Sequence, residues 1–145
     1  ELRQRLEAPG GWRLALTARE RAAWYEMGII RPLARVVEVE KQRQADKHLM
    51  MTTEVSPHTG MAWGSSVDYV QGILDALLWA TGRAERSPLS DREIDGLPST
   101  REMHNEAWLG TDIAYRRVES IRNDSYAVGV ETALLWLIGK SDDAP

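Results

Sequence analysis

Apolar residues recur every three or four positions along most of the chain, which is the spacing of one face of an α-helix. The first such segment begins at Thr17, where a glutamate three residues later completes a capping box, and it ends at Gly28. Pro32 suits the first position of a second helix, which reaches residue 51 and has a polar middle. No segment alternates long enough to predict a strand, since the short alternation in VVEVE lies within helical surroundings.

The pattern continues as helices and loops in the rest of the chain. Residues 52–65 contain proline and glycines and are typical of a loop. Ser99 and Glu102 form a second capping box, which predicts a helix through Trp108. A further helix is predicted over 112–123.

One segment occurs twice in the chain, with nearly the same sequence. YVQGILDALLWATGR begins at Tyr69, and YAVGVETALLWLIGK begins at Tyr126 without a gap in register. Either duplication or a shared structural demand accounts for this, so the two segments predict equivalent central helices at about 66–81 and 124–138.

On a helical projection, the repeated small and aromatic residues fall on one face of each copy. These residues are Tyr69, Gly72, Ala76, Trp79, Tyr126, Gly129, Ala133 and Trp136. Small residues allow two helix backbones to approach closely, so we interpret the face as a helix crossing in a buried core. The alternative is a face that binds a ligand or a partner helix.

These elements predict an all-α fold, a compact bundle of five or six helices in a single domain, 1–145. Its charge is uneven. The basic N-terminal lobe (1–51) contrasts with an acidic, repeat-containing core (61–145), although the chain as a whole has a net charge of −4. The arginines that offer a nucleic-acid contact in the basic lobe are Arg13, Arg19, Arg21, Arg31 and Arg35.

The amino-acid composition excludes several kinds of functional site. The chain has no cysteine, which excludes disulfides, thiolate metal sites and cysteine nucleophiles and agrees with a cytoplasmic location. The start of the sequence is too polar to resemble a signal peptide. Each repeat segment is too short and carries an acidic residue, so no membrane partner is expected.

The acidic segment DREIDGLPSTRE resembles the calcium loop of EF-hand proteins. Asp91, Glu93, Asp95 and Glu102 stand at ligand positions, and a glycine occupies the turn position. Pro98 departs from that family's pattern, because the family has an aliphatic residue there that donates a backbone N–H. A solvated turn that leads into the capping box is the other interpretation.

Few other residues are candidates for catalysis or for metal binding. His48, His58 and His104 are scattered, and on a helix His104 points away from Glu102 and Glu106. No nucleophile elbow, phosphate-binding loop or dinucleotide-binding fingerprint is present. We therefore expect no enzymatic activity, no cofactor and no metal.

Two further resemblances concern short segments. WYEMGIIRP, which starts at Trp24, resembles the stretch after the helix-turn-helix in MerR-type regulators, but only over nine residues, and it carries over no DNA-binding residue. The repeat, Tyr-x-x-Gly-x-x-x-Ala-Leu-x-Trp-x-x-Gly, resembles segments of small helical proteins of actinobacteria and their phages. Fifteen arginines against three lysines agree with a GC-rich origin.

The leading functional hypothesis is a non-enzymatic interaction protein that binds another protein or itself, of phage or mobile-element origin. Six tryptophans in a chain without phenylalanine favour this, since tryptophan is enriched at interfaces. The other interpretation is that these tryptophans take the place of phenylalanine in the core. The alternative is a nucleic-acid-binding regulator that uses the basic lobe.

Overall fold

The computed structural model describes residues 1–145, and all of its regular elements are helical. The six α-helices are α1 (Leu2–Glu7), α2 (Ala18–Met27), α3 (Leu33–Thr52), α4 (Ser66–Ala80), α5 (Thr100–Ala114) and α6 (Asp124–Leu137). A short 3-10 helix follows α1, and two isolated antiparallel bridges occur in loops. The prediction of an all-α bundle of five or six helices is confirmed.

The two repeat segments form α4 and α6, which pack directly on each other at the centre of the molecule. α5 lies against α6, α3 against α4, and α2 against α5. Residues all around α4 and α6 are buried, which explains why both helices are apolar on nearly every side.

Hydrogen bonds connect the N-terminal part of the chain to the C-terminal end of α6. The indole Nε1 of Trp24 donates to the carbonyl oxygen of Ile138, and the backbone N–H of Ile30 donates to that of Leu137, both at 2.9 Å. One cluster of buried side chains includes both Leu6 and Ile138. Residues from the two ends of the chain therefore share a single core.

Both predicted capping boxes are formed. Thr17 and Glu20 exchange side-chain-to-backbone hydrogen bonds at the start of α2, and Ser99 and Glu102 do so at the start of α5. Each box satisfies two N–H groups that the first helical turn leaves without partners. At the start of α4, Ser65 makes no such side-chain bond.

The prediction of a separate helix over 112–123 is wrong. α5 continues through Gly110 to Ala114. The absence of a side chain at Gly110 lets α5 lie so close to α6 that a β-carbon there would be 2.8 Å from the carbonyl oxygen of Ala127. The helix then stops where Arg116 adopts a left-handed conformation with φ of 58°. Residues 115–123 form a loop instead.

The least packed part of the molecule is the stretch from Glu40 to Tyr69, in which no residue is buried. It includes the second half of α3 and the loop before α4, with Met51 and Met61 each 69% exposed. None of the six helices combines the length and the apolarity that crossing a membrane requires.

Candidate functional site

The crossing of α4 and α6 is made possible by two glycines. A β-carbon on Gly72 would overlap the carbonyl oxygen of Tyr126, and one on Gly129 would overlap the carbonyl oxygen of Tyr69. The contact is reciprocal, because each glycine meets the tyrosine that opens the other copy of the repeat. The internal repeat thus corresponds to an approximate two-fold relation between the helices.

The other repeated residues lie beneath the surface. Ala76 and Ala133 are completely buried, and Trp79 and Trp136 nearly so. Tyr126 is buried as well, while its counterpart, Tyr69, is half-buried. The protein's own helices cover this face, so it presents no open groove.

A polar contact breaks the symmetry of the crossing. The hydroxyl of Tyr126 donates to Asp75 at 2.5 Å, and Gln71 donates to the other carboxylate oxygen at 2.7 Å. Burial raises the pKa of Tyr126 well above its usual value, and the hydrogen bond to Asp75 raises it further. In the second copy, Thr132 stands where the first has Asp75. The contact therefore has no counterpart across the pseudo-two-fold relation.

The five arginines of the basic lobe that are candidates for nucleic-acid contact occupy different environments. Arg31 is half-buried and donates to two carbonyl oxygens near the C-terminal end of the chain. Arg35 pairs with a glutamate on the next turn of α3 at 3.1 Å, and Arg13 lies over the ring of the neighbouring tryptophan. Arg19 and Arg21 are exposed on α2. Arg31 and Arg35 therefore have intramolecular roles.

The acidic segment that resembles a calcium loop uses its carboxylates in local contacts. Asp91 and Glu93 both pair with Arg86, at 2.8 and 3.7 Å, and Glu102 belongs to the capping box of α5. No group of three or more histidine, aspartate or glutamate side chains is arranged to hold a metal ion.

The side chain of His104, on α5, packs against two aromatic residues of α2. Its ring centroid lies 5.9 Å from that of Trp24 and 6.4 Å from that of Tyr25. Burial lowers the pKa of His104, and the nearby charge of Lys140 lowers it further. Both effects favour the neutral form of the imidazole.

The outer face of α5 carries the most exposed aromatic side chains of the molecule. Trp108 is 60% exposed and Tyr115, at the helix end, is 72% exposed. They are seven residues apart, which is about two helical turns, so both side chains leave the same face. We call these two residues the aromatic face. In the following loop, Val118 and Ile121 are exposed too.

The charges beside the aromatic face are largely paired within the protein. Arg117 lies over the ring of Tyr115 and pairs with Asp112 at 3.3 Å. Arg116 pairs with Asp124 at the same distance. Such exposed pairs add little stability, but they leave few free charges for a phosphate-rich ligand.

Sequence reasoning did not select the aromatic face. The spacing of Trp108 and Tyr115 was available as a signal, since residues seven apart share a helix face. The prediction of two separate helices, with a break between these residues, does not place them on one face.

No protein-family model matches this chain, and neither the curated proteins nor the solved structures provide a match.

Proposed function

We propose that the protein is a non-enzymatic protein-binding module that docks onto another protein, or onto a second copy of itself, through the aromatic face of α5. The observation that carries this proposal is the high exposure of Trp108 and Tyr115 on one side of a single helix. Tryptophan and tyrosine dominate the binding energy of many interfaces, because they bury a large area with few rotatable bonds.

The position of these residues on a well-supported helix favours docking here over the other exposed apolar positions. α5 begins with a capping box and packs along α6, so Trp108 is presented on a rigid element. Met51 and Met61 are about as exposed as Trp108 and Tyr115, but both methionines lie in the stretch from Glu40 to Tyr69, which contains no buried residue. A preorganised anchor loses less conformational entropy on binding than a mobile one.

The paired charges support a protein partner over the alternative, a nucleic acid. A nucleic-acid surface needs several unpaired cations that can contact phosphates. Arg116 and Arg117 already pair with carboxylates beside the aromatic face, and Arg31 of the basic lobe donates to backbone carbonyls. As part of the same proposal, we assign the protein to a bacterial cytoplasm and to a phage or mobile-element origin, on the lack of cysteine and the arginine bias.

The test compares two double variants of the full chain. Trp108→Ser with Tyr115→Ser removes the aromatic face, and Met51→Ser with Met61→Ser is the control of matching exposure. Sedimentation measures self-association, and affinity capture from an actinobacterial lysate, with and without nuclease, measures binding to other proteins. Loss of two aromatic anchors weakens a protein contact by at least about a hundredfold.

We expect the aromatic-face variant to lose a nuclease-resistant partner, or self-association, that the methionine variant retains. Equal loss in both variants contradicts docking at α5. Binding that nuclease abolishes favours the nucleic-acid alternative instead. A monomeric protein that captures no specific partner contradicts the proposal as a whole.

A further inference from the structure

A polar cavity of about 420 Å³ lies between the C-terminal half of α4, the first half of α5 and the loop that joins them. Trp79 lines it from α4, and Asn105 and Glu106 line it from α5. Ser87 and Arg92 contribute from the loop. Its volume is within the range of small-molecule sites.

Trp79, one of the residues that line this cavity, has an indole N–H without a hydrogen-bond partner. Trp79 is 2% exposed, and its Nε1–H donates to no atom of the protein. Indole has a single polar group, and buried polar groups nearly always have a partner. By comparison, the Nε1 of buried Trp24 donates to a carbonyl oxygen. Nε1 itself has less than 1 Å² of accessible area, so Trp79 borders the cavity through its other atoms, and its indole N–H serves as a reporter beside the cavity.

Glu106 contributes the complementary group. Its side chain is 4% exposed, and its Oε2 accepts the backbone N–H groups of Leu89 and Ser90 at 2.6 and 3.0 Å. These two bonds fix the carboxylate and attach the loop to α5. The other oxygen, Oε1, accepts no hydrogen bond from the protein. A cavity-lining carboxylate with one free oxygen can accept a hydrogen bond from a cation.

The charges around the cavity balance. Glu102 and Glu106 contribute two carboxylates, and Arg92 and Arg101 contribute two guanidinium groups. Arg92 is exposed, and its guanidinium makes no hydrogen bond or ion pair within the protein, whereas Arg101 lies over the ring of Tyr25. A ligand with both an ammonium and a carboxylate group matches this arrangement better than one with a net charge.

We infer that this cavity binds a free α-amino acid or a zwitterion of similar size. The ammonium group donates to Oε1 of Glu106, the carboxylate pairs with Arg92, and the ligand lies against Trp79. Ile94 and Leu109 supply apolar contacts for the ligand's side chain. This site is separate from the aromatic face and does not depend on the proposed docking function.

The test observes the indole N–H groups of the full chain by proton–nitrogen NMR. Six tryptophans give six indole signals, and Trp79→Phe identifies one of them by its loss. Each of the standard L-amino acids is titrated to about 10 mM, which detects millimolar binding. We expect at least one of them to shift the Trp79 signal saturably and to leave the Trp108 signal unchanged.

Variants and ligand analogues then test the assigned contacts. Arg92→Gln, at an exposed position that leaves the core intact, should weaken binding about tenfold. Trp136→Phe, at the equivalent position in the second repeat, should change the affinity less than about twofold. The N-acetyl and carboxamide derivatives of the bound amino acid should each bind at least about tenfold more weakly.

The inference is overturned if no amino acid shifts the Trp79 signal, because a molecule bound in this cavity lies against Trp79. It is also overturned if both charge-blocked derivatives bind as well as the free amino acid, or if Arg92→Gln and Trp136→Phe have equal effects. The double variant that removes the aromatic face should bind the amino acid normally. Failure of the docking proposal therefore leaves this test unaffected.

Discussion

At the scale of single residues, the contact between Tyr126 and Asp75 links a buried hydroxyl to the pH dependence of stability. Because the pKa of Tyr126 is raised in the fold, the folded protein keeps a proton that the unfolded chain releases near pH 10. The stabilisation is complete below about pH 10 and declines as the pH rises above that value. We expect Tyr126→Phe to lower the free energy of unfolding by about 1–2 kcal/mol at pH 8.

Denaturant unfolding measured between pH 8 and 11 checks this expectation. Tyr126→Phe should lose less stability than the wild type as the pH rises through this range, because the variant no longer has the buried titrating group. Tyr115→Phe is the control, since Tyr115 is 72% exposed, and it should keep the wild-type profile. Identical profiles for the two variants would show that Tyr126 does not control the alkaline loss of stability.

At the scale of helices, the α4–α6 crossing depends on the two repeated glycines. Gly72→Ala and Gly129→Ala each place a methyl group against a backbone carbonyl oxygen that cannot move independently. Overpacking of this kind typically costs about 1–3 kcal/mol, and it exceeds the gain in helix propensity of about 1 kcal/mol. We expect a lower free energy of unfolding for each variant, as measured by denaturant titration.

The control for this pair is Val128→Ala, next to Gly129 but on the exposed side of α6. It should change stability by less than about 0.5 kcal/mol. The double glycine variant should be less destabilised than the sum of the single variants, because one shift of the helices relieves both overlaps. A stabilising effect of either single variant would contradict a close crossing at these residues.

The helices themselves could largely be predicted from local signals. The capping boxes at Thr17 and Ser99 define where α2 and α5 begin, because both halves of each box are adjacent in sequence. The end of α5 could not be predicted in the same way. Gly110 looks like a helix end in the sequence, but its role depends on the distance to α6. Arg116 ends the helix in a conformation that arginine rarely adopts.

At the scale of the whole molecule, the sites were less predictable than the helices. The cavity near Trp79 depends on Glu106, which meets loop residues sixteen and seventeen positions earlier. No sequence period connects these residues, so a pattern search cannot bring them together. In the basic lobe, the sequence gives the charge of Arg31 but not its backbone acceptors, which are more than one hundred residues away.

The same long-range contacts predict that the basic N-terminal lobe and the acidic core unfold together. Ile30 is completely buried and joins the segment between α2 and α3 to the end of α6. We expect tryptophan fluorescence and far-ultraviolet circular dichroism to give one coincident denaturant transition. Ile30→Ala should shift both signals together by about 2–5 kcal/mol, because the cavity it creates lies in the shared core.

Amide hydrogen exchange should show that one part of the chain opens independently of this cooperative unfolding. Amides between Glu40 and Tyr69 are expected to exchange through local opening, since no side chain in that stretch is buried, whereas those in the middle of α4 and α6 require global unfolding. If Ile30→Ala instead separated the fluorescence and dichroism transitions, the two parts of the chain would be independent folding units. A single shifted transition means that contacts between the two ends of the chain stabilise α4 and α6, and with them the scaffold that positions Trp79 and Trp108.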